Sequence, residues 1–176
     1  MEKFLNIPVY VLVASGQTDS DGTATDQLLD SGATFVTDGV QPGDLVHQST
    51  DNTYFTVKTV DSQTELTLEP AGGVDTTKDY FIHSGSVTSS QLVSAVDITL
   101  VEQRSPSLIW IRYDGPAASD LITITHYAVG LGDESPRDAI QDLVVEANQT
   151  HWKQIVTEAG DALAVAGCKV IGIGIS

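Results

Sequence analysis

Cations are what this 176-residue chain has least of: eight Lys plus Arg stand against 24 Asp plus Glu, a formal net charge of −16. Such an exterior repels phosphate, which sets nucleic-acid binding aside and favours solubility without non-specific association. The carboxylates are spread along the chain and not gathered into a tail, so they read as a solvated surface. Cysteine occurs once, at Cys168, which excludes an intrachain disulfide and a zinc site built on thiolates. Its neighbours Ala166, Gly167, Val170 and Ile171 suggest a buried thiol, with no histidine or cation at hand to make it a nucleophile. No apolar run approaches the ~20 residues of a membrane span. The start, Met-Glu-Lys-Phe-Leu-Asn-Ile-Pro, lacks the basic residues and long apolar core of a signal peptide. The expectation is a protein of a reducing, soluble compartment, or one released by lysis, with no membrane partner.

Catalytic patterns are equally scarce. His47, His83, His126 and His151 are scattered over different segments, with no His-x-x-x-His or Glu-x-x-His pair to hold a metal. His126, in Thr-Ile-Thr-His-Tyr, is expected on the solvent face of an alternating strand, and His151 near a helix C-terminus. Asp19-Ser-Asp21-Gly22 with Asp26 misses the glycine and the bidentate glutamate of a calcium loop, and reads as a solvated acidic loop. Gly130-Leu-Gly132 lacks the third glycine and the lysine of a phosphate loop, and Asp133-Glu134 stands where an anion would sit. There is no Gly-x-Ser-x-Gly and no pointed Ser, His and Asp grouping. No catalytic residue, cofactor or metal is expected, and the chain reads as no enzyme. Aromatics are few; Trp110 and Trp152 are read as core or interface anchors.

What is present is strand grammar with one helix. Residues 6–14 form a nearly continuous apolar run, suited to a strand buried on both faces or traded into a neighbouring subunit. Ser15 to Thr25 holds nothing larger than Ala among its apolar residues and reads as a linker. Strands are expected over Ala33–Thr37, Asp44–Gln48, Thr53–Val60, Glu65–Glu69 and Asp79–His83. Gln41-Pro-Gly-Asp44 has the residues of a type II turn, and Asp61-Ser-Gln-Thr64 closes a hairpin. Five short strands in about fifty residues predict a small SH3-like barrel. Three more are expected at Ser94–Gln103, Ser107–Tyr113 and Asp120–Val129, as a meander. The helix follows: Ser135 is read as its cap, Pro136 as its first residue, and Asp138 as completing a Ser-x-x-Asp box. Ile140, Leu143, Val144 and Ala147 fall on one apolar face. Lys153–Glu158 and Lys169–Ser176 read as final strands around the Ala/Gly-rich 159–167. The last strand sets glycine on alternate positions, leaving one bare face.

The predicted fold class is α+β and mostly β: an antiparallel sheet with one packing helix, plus the inserted barrel. Residues 1–14 and 90–176 would build a discontinuous assembly domain and 28–86 the barrel, with 15–27 and 84–90 as linkers. Phe4, Leu5, Ile7, Val9, Val11, Trp110 and Trp152 are the candidate assembly-interface residues.

Lys3-Phe-Leu-Asn-Ile-Pro-Val, Gln91-Leu-Val-Ser-Ala-Val-Asp-Ile-Thr-Leu-Val-Glu-Gln103, Ile122-Thr-Ile-Thr-His126 and Arg137-Asp-Ala-Ile-Gln-Asp142 through Gln149-Thr-His-Trp152 resemble small virion structural proteins of tailed bacteriophages, closest in style to those of marine and cyanobacterial phages. The resemblance covers the outer region, about half of the chain. Val36-Thr-Asp-Gly-Val-Gln-Pro-Gly-Asp-Leu-Val46 and Val60-Asp-Ser-Gln-Thr-Glu-Leu-Thr-Leu68 separately resemble β modules of phage structural proteins. The similar short proteins lack the insertion. The resemblance implies a multicopy virion component made in the host cytoplasm. The first expectation is a capsid decoration or cement protein on the head exterior, bound to the major capsid protein as a homo-oligomer, a trimer being one form. A tail-tube or head–tail connector protein is the alternative, and a host-surface glycan-binding module the third.

Overall fold

The computed structural model describes residues 2–19, 26–49, 53–71, 76–87, 89–114, 121–149, 156–166 and 168–175. In chain order the first elements are β1 (Phe4–Val9), β2 (Leu12–Gln17), β3 (Gln27–Leu29), α1 (Phe35–Asp38), β4 (Leu45–Gln48), β5 (Thr53–Val60), β6 (Glu65–Glu69) and β7 (Asp79–His83). There follow β8 (Ser89–Ser94), β9 (Ile98–Ser105), β10 (Leu108–Tyr113), β11 (Leu121–His126), α2 (Ser135–Gln149), β12 (Val156–Glu158), α3 (Gly160–Val165) and β13 (Val170–Ile175). The protein is thus α+β and mostly β, with chiefly antiparallel sheets, one of them a half-barrel. It divides into two compact units, Met1–Val9 with Thr88–Ser176, and Tyr10–Val87. Among the described residues no helix is long and apolar enough to cross a membrane.

The first unit holds two sheets, β12-β1-β8 and β13-β11-β10-β9. Along β1 burial alternates: Leu5, Ile7 and Val9 point into the core while Phe4, Asn6 and Pro8 are half-buried. β1 pairs parallel with β12 and antiparallel with β8, so both of its hydrogen-bonding edges are used within the chain. Ile109 and Ile111 of β10, Ile122 and Ile124 of β11, and Ile140, Leu143 and Ala147 of α2 complete this core. The helix forms because that apolar stripe, at i, i+3 and i+7, removes more surface from water than any other face could. Its start differs from the expected box. Ser135 N–H donates to the Asp133 carboxylate at 3.0 Å, the Ser135 hydroxyl donates to Ala166 O, and Asp138 is taken by Arg137. Asp133, two residues before the helix, therefore does the capping. Asn148 donates from the last turn to Ala95 O and to Val144 O, tying α2 to the β8–β9 corner.

Three expectations fail in this unit. The strand expected over Ser94–Gln103 begins only at Ile98, because β8 ends at Ser94 and Asp97, at a left-handed φ of 61°, turns the chain between them. The Ala/Gly-rich 159–167 is not bare connection: Gly160–Val165 forms α3, held by the buried Leu163. His126 is buried, not solvent-facing, because it lies two residues after Ile124 in an alternating strand and so shares the core face of Ile122 and Ile124.

The second unit is one six-stranded antiparallel sheet, in the order β2-β7-β4-β5-β6-β3. Its core gathers Leu28, Phe35, Val46, Phe55, Val57, Leu66, Leu68, Tyr80 and Ile82. The edge strands bend toward each other at one end. Asp19 N–H donates to Leu29 O at 2.8 Å, and the Asp19 carboxylate accepts from the Ser31 amide and hydroxyl. Inside that bend the Tyr80 hydroxyl donates to Asp30 at 2.6 Å. The four expected strands 44–48, 53–60, 65–69 and 79–83 are present, trimmed by a residue at the first, but 33–37 is not a strand. Phe35–Asp38 makes one helical turn instead. Its amides at Val36 and Thr37 donate to the Gln63 side chain, the Phe35 amide donates to Gln63 O, and Gly39 (φ 84°) ends the turn. Local hydrogen bonding outweighs the β propensity of Phe-Val-Thr here.

One outer strand of this sheet comes from a segment expected elsewhere, and the other, at the start of the expected barrel, from a segment in which no strand was expected. The apolar run 6–14 breaks at Tyr10, and Leu12–Gln17 pairs with β7, so residues expected in the outer domain or in a linker line the sheet's edge. Gln27–Leu29 supplies the other edge against β6. The expected linker 84–90 is also tied down: Ser84 N–H donates to Val11 O, Gly85 N–H donates to Asp44, and β8 begins at Ser89. The turn at Gln41–Asp44 has the expected shape, with Gly43 at φ 96° and Asp44 N–H donating to Gln41 O. The nearly buried Asp44 carboxylate accepts from the Gln41 and Gly85 amides, joining the turn to β7's continuation.

Candidate functional site

Four of the candidate interface residues are placed inside this chain's own architecture. Leu5, Ile7 and Val9 are 0–8% exposed, and Phe4 is half-buried beside them. Leu5, Ile7 and Val9 belong to this chain's own core, and β1 is hydrogen-bonded along both edges within it. Val11 is 42% exposed, at the start of the six-stranded unit. Trp152 lies outside the described residues, as does His151.

Trp110 is the candidate whose surroundings say most. Ile109 and Ile111 face the core, so strand alternation turns Trp110 to the opposite side of the sheet. It stands in a row with Glu102 of β9, Thr123 of β11 and, beyond it, Gly174 of β13. A register shift at Leu108/Ile109 leaves Arg104 unmatched on β9 and carries its guanidinium over the indole, 4.4 Å from the ring centroid. Arg112, two residues along β10, reaches the same ring at 5.2 Å. Glu102 holds Arg104 at 2.8 Å. The bare glycine face lies alongside: Gly174 has no atom near the space its side chain would fill, and Gly172 meets only Thr125. The glycine alternation thus opens onto surface, with no second backbone pressed against it.

On the other side of the same unit, α2 and α3 enclose an open groove of about 550 Å³. Its floor is Ala139, Leu143 and Ala162, with Val165 at the mouth, 91% exposed. Asp138, Asp142 and Glu146 run along one rim at i, i+4 and i+8, and Asp161 stands across. Hydrogen bonds from Ser135 hold the nearby Asp133 carboxyl below the usual range. Arg137 is occupied by Glu134 and Asp138.

The titratable groups that are buried sit apart from one another. Burial pushes the Cys168 thiol up to about 12, leaving it protonated and unreactive at neutral pH. Burial lowers His126, a cause only partly offset by its bond to Tyr127 O. Its ring is therefore neutral. The Gln103 amide nitrogen, 3.1 Å away, can only donate, so His126 Nε2 accepts and Nδ1 donates to Tyr127 O at 2.7 Å. In the six-stranded unit, His47 stacks on Tyr54 at 4.6 Å with Phe81 on its other side, a cross-strand row on the face away from the core. Among the described residues no group of three or more His, Cys, Asp or Glu could hold a metal. No nucleophile stands beside a base in the contacts described above.

His83 gives this unit an expected acid sensitivity. Burial, and then the neighbouring His47 charge, lower its pKa from 6.5 to about 4. As pH falls below 6.5 the unfolded chain takes up this proton first. The stabilisation is therefore complete above about pH 6.5 and is lost on descending to about 4, with a ceiling near ~3 kcal/mol. Urea midpoints at pH 7.5 and 4.5 should fall less in His83→Gln than in the unaltered protein. Equal falls in both would refute the assignment.

No protein-family model, curated protein or solved structure matches this chain.

Proposed function

We propose that the chain is a non-enzymatic structural protein of a tailed-phage virion, a decoration or cement protein on the outer surface of the head. The observation that carries the reading is its surface. In an acidic exterior with few cations, large apolar side chains stand out singly into solvent: Leu131 at 94%, Val165 at 91%, Ile175 at 82% and Leu92 at 60% exposed. Leu92, Val165 and Ile175 are held out on β8, α3 and β13, and Leu131 on the turn before α2, where contacts made in an assembly can cover them. Such a chain acts by mass action. Each contact made only with the assembled major capsid protein adds binding energy to the lattice and opposes its expansion by packaged DNA. The sequence resemblance supports the same reading.

We further propose that Tyr10–Val87 is an SH3-like barrel in its finer topology and that it projects outward from the head. The bending of its edge strands toward each other supports the first part. Electron microscopy of virions labelled at the C-terminus of this protein tests the placement. Label over the whole head is expected. Label confined to the tail or to one vertex replaces decoration with the tube or connector alternative.

A further inference from the structure

We infer that this protein associates with itself head to tail, the Arg104–Trp110–Arg112 ridge of one copy seating in the α2–α3 groove of the next. The two surfaces lie on opposite sides of one unit. Trp110 is on the face of β10 turned away from the core, whereas α2 and α3 cover the core side through Ile140, Leu143 and Leu163. A contact between them cannot be made within one copy, and between copies it joins two different patches. Such an interface closes into a ring or continues as a filament, according to the rotation per step.

Charge names the occupant. A second copy brings the same −16 and is repelled over most of its approach. Here, though, two of the chain's eight cations are gathered over one indole, and the groove offers four carboxylates along an apolar floor. Asp138 is already paired with Arg137, but Asp142 and Glu146 gain nothing from their own helix. Like charges at i, i+4 disfavour it, and the one cation in its first turn is already held by Glu134 and Asp138. The ridge is matched in kind. An indole supplies apolar area for Leu143 and Val165, and the two guanidinium groups gathered at it can meet carboxylates on the rims. Aromatic and arginine side chains are those that anchor protein interfaces most strongly. A groove of about 550 Å³ lies within the range that takes a whole small ligand. The inference stands apart from the virion reading, since it concerns association in solution.

Charge reversal on each side tests it, with mass measured by sedimentation velocity at low salt over a range of concentrations. The unaltered protein is expected to form a ring or growing oligomers that dissociate as salt is raised. Arg104→Glu with Arg112→Glu, and separately Asp142→Lys with Glu146→Lys, should each be monomeric with unchanged circular dichroism. All four positions are solvent-facing, so folding is not at stake. Mixed, the two variants should associate again. The intact ridge of the second meets the intact groove of the first, and the two reversed surfaces are also complementary. A monomeric unaltered protein, variants that associate as it does, or a mixture that stays monomeric would each overturn the inference.

Discussion

Gly85→Ala is expected to destabilise the Tyr10–Val87 unit by more than about 3 kcal/mol, the upper part of the range for inserting a group into packed surroundings. A β-carbon at Gly85 would stand 2.0 Å from the Gly43 carbonyl oxygen and 2.5 Å from its carbon. Those are backbone atoms, so no rotamer change relieves the overlap. Moving Gly43 is costly because the Gln41–Asp44 turn is held at four points. Asp44 N–H donates to Gln41 O, Gly43 N–H to Val57 O, and the Asp44 carboxylate accepts from Gln41 and Gly85. Moving Gly85 instead breaks its own bond to Asp44 and pulls on Ser84, which donates to Val11 O. Both edges of the clash are therefore anchored. Hydrogen exchange is the direct measurement: amides of β4, β5 and β7 should exchange much faster in the variant. Ser86→Ala, at the next residue, where the side chain is exposed, is the control and should change little. Unaltered protection in Gly85→Ala would mean that the approach of the two backbones is not as close as described.

Ile140→Ala is expected to cost the other unit about 3 kcal/mol, within the 2–5 kcal/mol seen when a buried aliphatic side chain is cut back to alanine. Ile140 is fully buried on α2 and belongs to the cluster that includes Ile109, Ile111 and Leu143. The loss has two parts: the removed methyl and methylene groups no longer leave water on folding, and the space they occupied lies in a packed core that collapses into it only in part. Both tryptophans, Trp110 and Trp152, belong to the residue range of this unit, so fluorescence reports its unfolding. For about 100 ordered residues a loss of this size lowers the melting temperature by at least ~10 °C. Val145→Ala, on the same helix but 44% exposed, should stay within about 0.5 kcal/mol of the unaltered protein. Similar falls for the two substitutions would mean that α2 does not pack by the stripe described.

Legibility in the sequence followed the range of the forces involved. α2 was readable because its stripe, Ile140, Leu143, Val144 and Ala147, repeats with the helical period and lies within one local segment. The hairpin at Asp61–Thr64 and the turn at Gly43 were readable for the same reason: their residue chemistry is satisfied by neighbours a few positions away. Phe35–Asp38 was misread because the groups that stabilise its turn come from Gln63, far along the chain. The break of the 6–14 run at Tyr10 was also hidden, since both halves are good strands and only their different partners separate them. Among the candidate interface residues, apolarity alone could not distinguish Ile7, which is buried in its own core, from Val11, which is exposed. The cation pair over Trp110 left a faint trace, Arg104 and Arg112 flanking Trp-Ile, but the register shift that brings Arg104 onto the ring has no local signature.

By itself the sequence determined that this is an acidic, mostly β chain with one amphipathic helix and no pair of cysteines to bridge, because composition and short-range periodicity are properties of the chain alone. The tertiary structure decided which strands share a sheet, that β1 is locked between β8 and β12, and that an arginine-flanked indole and an acid-rimmed groove lie on opposite faces of one unit. Those outcomes depend on pairing and register between residues distant in sequence, where a shift of one position turns a side chain from core to surface.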